Sequence, residues 1–260
     1  MAIFIVVPLL MVAYFAFTTG NGEFTLNNIV KVGGYIPVII KSLFLALVAT
    51  VICLVLGYPF AFIMARKTNN IRRTMLMLIM LPMWMNFLLR TYSWMTILEN
   101  NGLINRFLGL FGIGPFEMIN TQGAVVLGMV YDYLPFMIVP LYTVLMKIDN
   151  SLIQAAQDLG GTPVQVFTHV VLPLSIPGIT TGITMVFIPA VSTFIISRML
   201  GGGSELMIGD LIEMQFTGAA YNPNLGAAIS FVLMIIILIC MGMMNQFDSD
   251  EDKKEENVAI

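Results

Sequence analysis

Apolar and polar residues follow one another along this chain in long blocks rather than in short periods. Six blocks are apolar and come close to the roughly 20 residues that an α-helix needs to cross a bilayer. They cover residues 2–17, 36–65, 75–98, 124–146, 173–196 and 225–247. The pattern predicts an all-α integral membrane protein with six transmembrane helices.

The polar intervals between the blocks set the orientation of these helices. One of them, Arg66–Arg73, holds four cations in eight residues, and short loops rich in Lys and Arg lie on the cytoplasmic side. Counting crossings from this loop predicts that both chain ends and the polar interval 149–173 are cytoplasmic. A basic patch can also bind nucleic acid, but a short hinge between two spans leaves little room, so we expect no nucleic-acid partner.

Composition agrees with a membrane protein. Hydrophobic residues make up 58% of the chain, charged residues 10%, and the mean hydropathy is +0.90. Residues 248–256 hold six acids against two lysines, so the net charge of −3 reflects this segment and identifies no partner. We expect a first helix with an external loop (1–35), a transmembrane core (36–247) and an acidic, disordered cytoplasmic tail (248–260). The first block lacks the positive start of a secretory signal and is predicted to be a retained helix, with a short segment preceding it.

The interval 149–173 predicts a compact helix-turn-helix that projects from the membrane. Asp149, or one of the two residues after it, can cap a short helix that the following alanines favour. Gly160 supplies the left-handed residue that ends this helix. Thr162 can cap a second helix, with Pro163 suited to its first turn. We call residues 149–173 the elbow.

The elbow resembles the signature of the integral membrane subunits of ATP-binding-cassette importers, in which Glu-Ala-Ala is followed after three residues by Gly and later by Ile-x-Leu-Pro. The matching residues are Gln154-Ala155-Ala156, Gly160, Val170, Leu172 and Pro173. Gln154 in place of Glu removes a charge, and with it any salt bridge made there. The resemblance implies a type I importer permease, N-in and C-in, whose ATPase-coupling residues are Gln154, Ala155, Ala156, Gly160 and Pro173. A capped loop with Ala and Gly also occurs in other membrane proteins, and this is the alternative reading.

Further stretches resemble the spermidine/putrescine permeases of this family. They are Phe24–Asn28, Trp84–Tyr92, Tyr133–Phe136 and Leu200–Gly202, within a likeness that extends over residues 24–247. The resemblance implies ATP-driven polyamine import across the bacterial cytoplasmic membrane. It implies as partners a second homologous permease, two nucleotide-binding ATPase subunits, an extracytoplasmic substrate-binding protein and membrane lipid. These stretches are less specific than the elbow, so import of thiamine, an iron chelate or an anion is the alternative.

Arg90 and Asp132 fall well inside predicted spans, where each charge costs about 2.5 to 3.5 kcal/mol. Arg90 and Asp132 can partner one another, or they can face the transport path, where Arg90 would suit an anion. A carboxylate among aromatic rings attracts amines, so Asp132 is the stronger candidate for a cation site. The other candidates for the path are Tyr131, Tyr133, Tyr92, Trp94 and Glu213. Glu213, with Glu205 and Asp210, would give the external mouth a negative field.

Several classes of function lack their residues in this sequence. It contains no Gly-x-x-x-x-Gly-Lys-Ser/Thr, no Ser/His/Asp set and no Cys/His cluster. Cys53 and Cys240 lie in apolar blocks, and His169 stands alone in the elbow, where we expect it to pack in the loop or face water. We expect no enzyme activity, metal or cofactor in this chain, with ATP and Mg²⁺ bound by a partner. A passive channel or a membrane-embedded enzyme is the alternative from another class, and co-purification with a nucleotide-binding subunit would exclude both.

Overall fold

The computed structural model describes residues 2–203, 205–218 and 221–258, without the side chains of residues 2, 3 and 245–258. This part of the chain forms fourteen α-helices and contains no β-strand, which confirms the predicted all-α class. They are α1 Ala2–Ala16, α2 Asn27–Val32, α3 Ile36–Ala65, α4 Asn69–Met80, α5 Phe87–Leu98, α6 Leu103–Gly109, α7 Gln122–Leu145, α8 Asn150–Asp158, α9 Pro163–Val166, α10 Leu172–Leu174, α11 Ile176–Ser192, α12 Ile195–Leu200, α13 Ile208–Thr217 and α14 Pro223–Val258. Two 3-10 turns, Gly33–Tyr35 and Leu81–Trp84, and a π-helical segment, Phe167–Val171, lie between some of them.

Three helical stretches are long and apolar enough to cross a membrane unaided, namely Asn27–Ala65, Gln122–Leu145 and Pro223–Met244. Two bent pairs qualify if each counts as one span: Asn69–Trp84 with Phe87–Gly109, and Pro163–Leu174 with Ile176–Ser192. Length and composition therefore support three to five crossings in the described residues, where the pattern predicts six. The first helix, α1, has 15 residues, or about 22 Å at 1.5 Å per residue, against a hydrocarbon core of about 30 Å.

The third predicted span, 75–98, is broken where α4 ends and α5 begins. Pro82, in the 3-10 turn after α4, has no backbone N–H to donate. The helices on the two sides of the break are bent by 90°. Asn86 caps α5, because its Oδ1 accepts hydrogen bonds from the N–H groups of Leu88 at 2.8 Å and Leu89 at 3.4 Å. This polar residue inside an apolar block therefore starts a helix.

The chain divides into two compact units, one of residues 1–47, 91–128 and 191–240, and one of residues 48–90, 129–190 and 241–260. In the second unit, α3 and α11 approach α7 at the fully buried side chain of Met137. A Cβ added at Gly182 would lie 2.6 Å from the Sδ of Met137, and one added at Gly57 would lie 3.1 Å from its Cγ. Glycine at these two positions allows the close helix packing that is common in membrane bundles.

In the first unit, two asparagines bind the carboxyl end of α1. The Nδ2 of Asn28 donates to the carbonyls of Ala16 at 3.3 Å and Thr18 at 2.9 Å. The Nδ2 of Asn224 donates to the carbonyls of Phe15 at 3.1 Å and Thr18 at 2.8 Å. Carbonyl groups left over at a helix end are thereby satisfied, and α1 is attached both to α2 and to the start of α14.

The last helix, α14, continues through Val258, where the sequence predicts a disordered tail from residue 248. The separate acidic tail at residues 248–260 stays a prediction. Residues 259 and 260 lie outside the described part of the chain.

Candidate functional site

The first arm of the elbow is α8, and its two ends are those that the sequence predicts. Asp149 is the cap, because its Oδ1 accepts a hydrogen bond from the N–H of Ser151 at 2.9 Å. The same hydrogen bond holds the pKa of the Asp149 carboxyl below its usual value. Gly160 follows the helix with φ of +86°, a backbone conformation that a residue with a Cβ adopts only with strain. The predicted cap and the predicted left-handed glycine are confirmed.

The second arm begins at Thr162 and includes α9 and the π-helical segment. Thr162 and Gln165 form a reciprocal capping box, with the N–H of Thr162 donating to Oε1 of Gln165 at 2.9 Å. Pro163 occupies the first turn, as predicted. The Nδ1 of His169 lies 3.0 Å from both the Gln165 carbonyl and the Thr168 hydroxyl. His169 is therefore bound within its own helical turn, and it is exposed.

The surface between the two arms is apolar and open. Leu159 is 89% exposed and Val164 is 71% exposed. Gln154, Ala155 and Pro173 are exposed and Ala156 is half-buried. A groove of about 420 Å³ is lined by Ala156, Leu159, Gly160, Gly161, Gln165, Val166, His169 and Val170. Exposed apolar side chains around a groove are typical of a surface that another protein covers.

The second arm is attached to α3 by an aromatic cluster and a buried hydrogen bond. The ring of Phe167 packs edge-on against the rings of Tyr58 and Phe62, with centroids 5.6 and 5.9 Å apart. The hydroxyls of Tyr58 and Ser175 lie 2.8 Å apart, and Ser175 donates its one proton to the carbonyl of Leu172 at 2.8 Å. Tyr58 must therefore be the donor to Ser175. The sequence did not single out Tyr58, Phe62 or Ser175, because only the fold brings them together.

Ser175 lies at the break between the elbow and the helix behind it. The stretch Pro163–Leu174 and the helix Ile176–Ser192 are bent by 63° at this residue. Ser175 is fully buried. Its hydroxyl is hydrogen-bonded both to Tyr58 of α3 and to the carbonyl of Leu172. A polar contact with α3 therefore lies two residues beyond the elbow, at the start of the helix behind it.

Arg90 and Asp132 form a buried ion pair inside the second unit. The Nη1 of Arg90 lies 3.2 Å from Oδ1 of Asp132, and the two side chains are 8% and 2% exposed. The contact lacks hydrogen-bond alignment, and Nε of Arg90 has no hydrogen-bond partner among the described residues. Of the two interpretations that the sequence leaves open, the structure supports mutual pairing, so Asp132 is not a free carboxylate awaiting an amine.

Tyr131 and Tyr133 flank Asp132 along α7. Successive residues on a helix point about 100° apart, so Tyr131 and Tyr133 face away from the carboxylate between them. Tyr133 is buried and its hydroxyl donates to the carbonyl of Pro189 at 3.4 Å. Tyr92 and Trp94 belong to the other compact unit. Tyr92 is 55% exposed.

The acids expected at the external mouth are neutralised by neighbours in the first unit. Glu213 forms an ion pair with Arg198 and accepts a hydrogen bond from the Thr217 hydroxyl at 2.7 Å. The hydrogen bond from Arg198 holds the pKa of Glu213 below its ordinary value. Glu205 forms an ion pair with Lys41. Because Glu205 and Glu213 are paired with cations, these residues carry little net negative charge to produce the predicted field.

Asp210 has a structural role at the start of α13, a helix that the sequence analysis did not predict. Its Oδ2 accepts hydrogen bonds from the N–H of Met207 at 2.9 Å and the hydroxyl of Ser197 at 2.5 Å. Burial raises the pKa of this carboxyl. The N–H of Ile208 donates to Oγ of Ser42 at 2.8 Å. An acid in the first turn was the one signal available in the sequence.

No group of three His, Cys, Asp or Glu side chains in the described residues could hold a metal ion. Cys53 is buried, Cys240 is half-exposed, and both are free thiols. The described side chains therefore offer an exposed apolar groove and several ion pairs, and they include no metal centre.

Comparison with known proteins places these features in a family. The family model described as binding-protein-dependent transport system inner membrane component matches residues 57–251. The chain is 38% identical over 254 residues to the spermidine/putrescine transport system permease protein PotB of Escherichia coli (strain K12), covering 94% of this chain and 90% of that protein. It is 37% identical over 246 residues to PotB of Haemophilus influenzae, covering 91% and 86%.

Among solved structures, the chain is similar to a crystal structure of a bacterial ABC transporter involved in the import of the acidic polysaccharide alginate. The TM-score is 0.80, with 96% of this chain and 91% of that chain covered. The sequence identity is 16%, so this likeness establishes the fold alone. The shared fold covers both compact units.

Replacing Tyr58 with Phe removes the hydroxyl that donates to Ser175 and keeps the ring that packs on Phe167. We expect the free energy of unfolding to fall by about 1 kcal/mol, the usual net contribution of a buried hydrogen bond. Tyr142→Phe is the matched control, because the Tyr142 hydroxyl donates to the thioether of Met146, a weak acceptor. Unfolding of the full chain in detergent measures both, and an equal loss in the control would contradict the importance of the Ser175 contact.

Asp132→Asn leaves Arg90 buried without its counter-charge, and we expect a loss of about 3 to 5 kcal/mol of unfolding free energy. Arg90→Gln likewise leaves the Asp132 carboxylate buried without its counter-charge. The double variant contains neither charge and should be more stable than either single variant, which a double-mutant cycle of unfolding free energies detects. Strictly additive losses would show that the two side chains do not stabilise each other.

Proposed function

The chain belongs to the family of binding-protein-dependent transport system inner membrane components, as a permease subunit of an ATP-binding-cassette importer, and we propose that its cargo is a polyamine. The observation that carries the proposal is the 38% identity to a spermidine/putrescine permease over 94% of the chain. The stretches that resemble such permeases, Trp84–Tyr92 and Tyr133–Phe136, lie inside that alignment and agree with it. Spermidine and putrescine are the proposed substrates.

The described charges do not by themselves select a cation. Asp132 is paired with Arg90, Glu213 with Arg198 and Glu205 with Lys41. The polyamine proposal therefore rests on the relatives rather than on a site of free carboxylates. Transport of thiamine, an iron chelate or an anion by the same architecture is the competing proposal. Competition for uptake distinguishes these solutes from polyamines.

The proposed arrangement has six crossings, with both ends of the chain in the cytoplasm and a type I importer fold. The crossings are α1, α3, the α4–α5 pair, α7, the stretch 173–196 that contains α11, and α14. Four cations in the connection Arg66–Arg73 favour a cytoplasmic position for that loop. Two further crossings return the elbow to the same side, where an ATPase can reach it.

The proposed assembly contains a second homologous permease, two ATPase subunits and an extracytoplasmic substrate-binding protein. Dependence on a binding protein is part of the family's description. ATP and Mg²⁺ are assigned to the ATPase subunits, because this sequence has no phosphate-binding loop. The chain itself then supplies the path and the mechanical connection rather than the chemistry.

The exposed apolar elbow is the proposed ATPase contact. Leu159 and Val164 present apolar side chains on either side of Gly160 and Gly161, so a groove on the ATPase can cover them without burying charge. A displacement of the elbow reaches α3 through Phe167 and the Tyr58–Ser175 hydrogen bond. It reaches α11 through the bend at Ser175. ATP-driven movement of the elbow would thereby change the opening of the path.

Gly160→Val tests the docking of the elbow. A Cβ at Gly160 meets no atom of this chain within 4 Å, so the added side chain projects toward the partner. We expect uptake to fall by roughly tenfold or more, the effect of about 1.4 kcal/mol at the contact, with expression unchanged. Uptake of labelled putrescine in cells carrying the complete transporter measures this effect.

Gly112→Val is the matched control for this variant. Gly112 also has a positive φ, of +73°, and its added Cβ likewise meets no atom within 4 Å. Both variants therefore impose a comparable backbone cost of about 1 to 2 kcal/mol, but Gly112 lies outside the elbow. Equal uptake defects in the two variants would attribute the effect to backbone strain and remove the support for docking.

The cargo is tested by competition. Labelled spermidine uptake, in a strain that lacks other polyamine importers, should be reduced by unlabelled putrescine and spermidine. Thiamine, ferric chelates and small anions at the same concentration should leave it unchanged. Absence of polyamine uptake in the complete transporter, or inhibition by one of the other solutes alone, would favour the competing cargo.

A further inference from the structure

A small polar cavity lies beside the first arm of the elbow, apart from the groove proposed to receive the ATPase. Its volume is about 50 Å³, and a single water needs only about 10 to 15 Å³ measured in this way. Arg66 and Arg72 line it together with Asn150, at the start of α8. Phe62 and Ile153 form apolar parts of its wall. Two guanidinium groups in one small cavity favour an anion.

The two arginines are held in place by contacts within the second unit. The Nη2 of Arg72 donates to the carbonyl of Ala65 at 2.5 Å. The Nε of the same side chain is buried without a hydrogen-bond partner among the described residues. The guanidinium of Arg66 lies over the ring of Phe62, 4.1 Å from its centroid. Arg72 therefore has a buried N–H group that is available to a ligand, and Arg66 is oriented by the ring of Phe62.

The surrounding charges are mainly positive. Lys67 and Arg73 share the α3–α4 connection with the two arginines, and Lys147 lies between α7 and α8. The first arm of the elbow contributes two acids, Asp149 and Asp158. Asp149 does not line the cavity, and its carboxylate already accepts the hydrogen bond of the α8 cap. The local balance of five cations against two acids attracts an anion to this side of the chain.

We propose that this cavity binds the phosphate group of an anionic phospholipid. It lies where α3 and α7 end, at Ala65 and Leu145, and a cytoplasmic basic loop puts these ends at the depth of lipid headgroups. The planar fork of Arg72 matches two phosphate oxygens, and Nε supplies one of the donors. The volume admits the phosphate alone, so the glycerol and acyl chains remain outside, where apolar side chains of the helices meet lipid.

The experiment uses the full chain, purified in a neutral detergent and titrated with phosphatidylglycerol or with phosphatidylcholine of the same acyl chains. Native mass spectrometry counts bound lipids, and thermal unfolding reports stabilisation by the bound form. We expect one phosphatidylglycerol to bind more tightly than phosphatidylcholine and to raise the unfolding temperature. Arg72→Gln should weaken this binding by roughly tenfold, the usual effect of losing a charge-assisted hydrogen bond.

Arg73→Gln is the matched control, because it removes the same charge from the neighbouring residue, which does not line the cavity. Arg72→Lys keeps the charge but loses the two parallel N–H donors, so it should bind phosphatidylglycerol less tightly than the unaltered chain. This variant keeps the test valid if Arg72→Gln fails to fold. Equal weakening in Arg72→Gln and Arg73→Gln would overturn the site in favour of general charge attraction. Stabilisation by inorganic phosphate below the effective phosphatidylglycerol concentration would assign the cavity to free phosphate and overturn the lipid source. Unchanged lipid binding in Arg72→Gln, with loss of a co-purified ATPase subunit, would assign the arginine to that partner instead.

Discussion

A backbone N–H or C=O group that is freed at a helix break in lipid has no water to bind, so the protein itself must supply its partners. This constraint explains where the polar residues of an apolar chain are used. Asn86 caps the helix that restarts after Pro82, and Asn28 and Asn224 bind carbonyls in the last turn of α1. Ser175 donates to Leu172 at the bend before α11. Each of these polar side chains completes the hydrogen bonding of a helix end.

The same constraint applies to charge. An isolated buried charge is costly, and a paired one is tolerated, so the folded chain matches Arg90 with Asp132 and places Asp210 against a hydroxyl and a backbone N–H. The consequence for function is specific. Neutralised charges reveal little about the charge of the cargo, and the substrate class has to be argued from the relatives. Charges without a partner of opposite sign, such as those around Arg72, indicate more about what the chain binds than charges that are buried in pairs.

The parts of the fold that the sequence predicted correctly depend on local interactions. Asp149 caps a residue two positions away, Thr162 and Gln165 cap one another, and Gly160 adopts its left-handed conformation at the end of its own helix. The match to the importer signature is likewise contained in about twenty residues of the elbow. Hydropathy alone also identified most of the membrane helices, although it could not show the 90° break inside one of them.

The parts that the sequence missed depend on residues far apart in the chain. The start of α13 is held by Ser42, which is 166 residues from its partner Ile208, and no short pattern connects them. The Tyr58–Ser175 contact spans 117 residues, and in the sequence both are ordinary members of apolar blocks. The sequence left the partner of Asp132 open for the same reason, because the position of Arg90 beside it follows from helix packing. Long-range pairing is therefore the limit of what periodicity and motifs predict here.

The attachment of the elbow to α3 determines how a force on it could travel. The arm that begins at Pro163 contains a π-helical segment, Phe167–Val171, and such wide turns interrupt the regular helix and often occur at functional positions. A compliant segment would absorb a displacement before it reached α11. Phe167, at the first position of this segment, packs against Tyr58 and Phe62, and Ser175, four residues beyond its last position, is hydrogen-bonded to Tyr58. Contacts with α3 before and after the wide turn therefore limit how far the turn can move independently of α3.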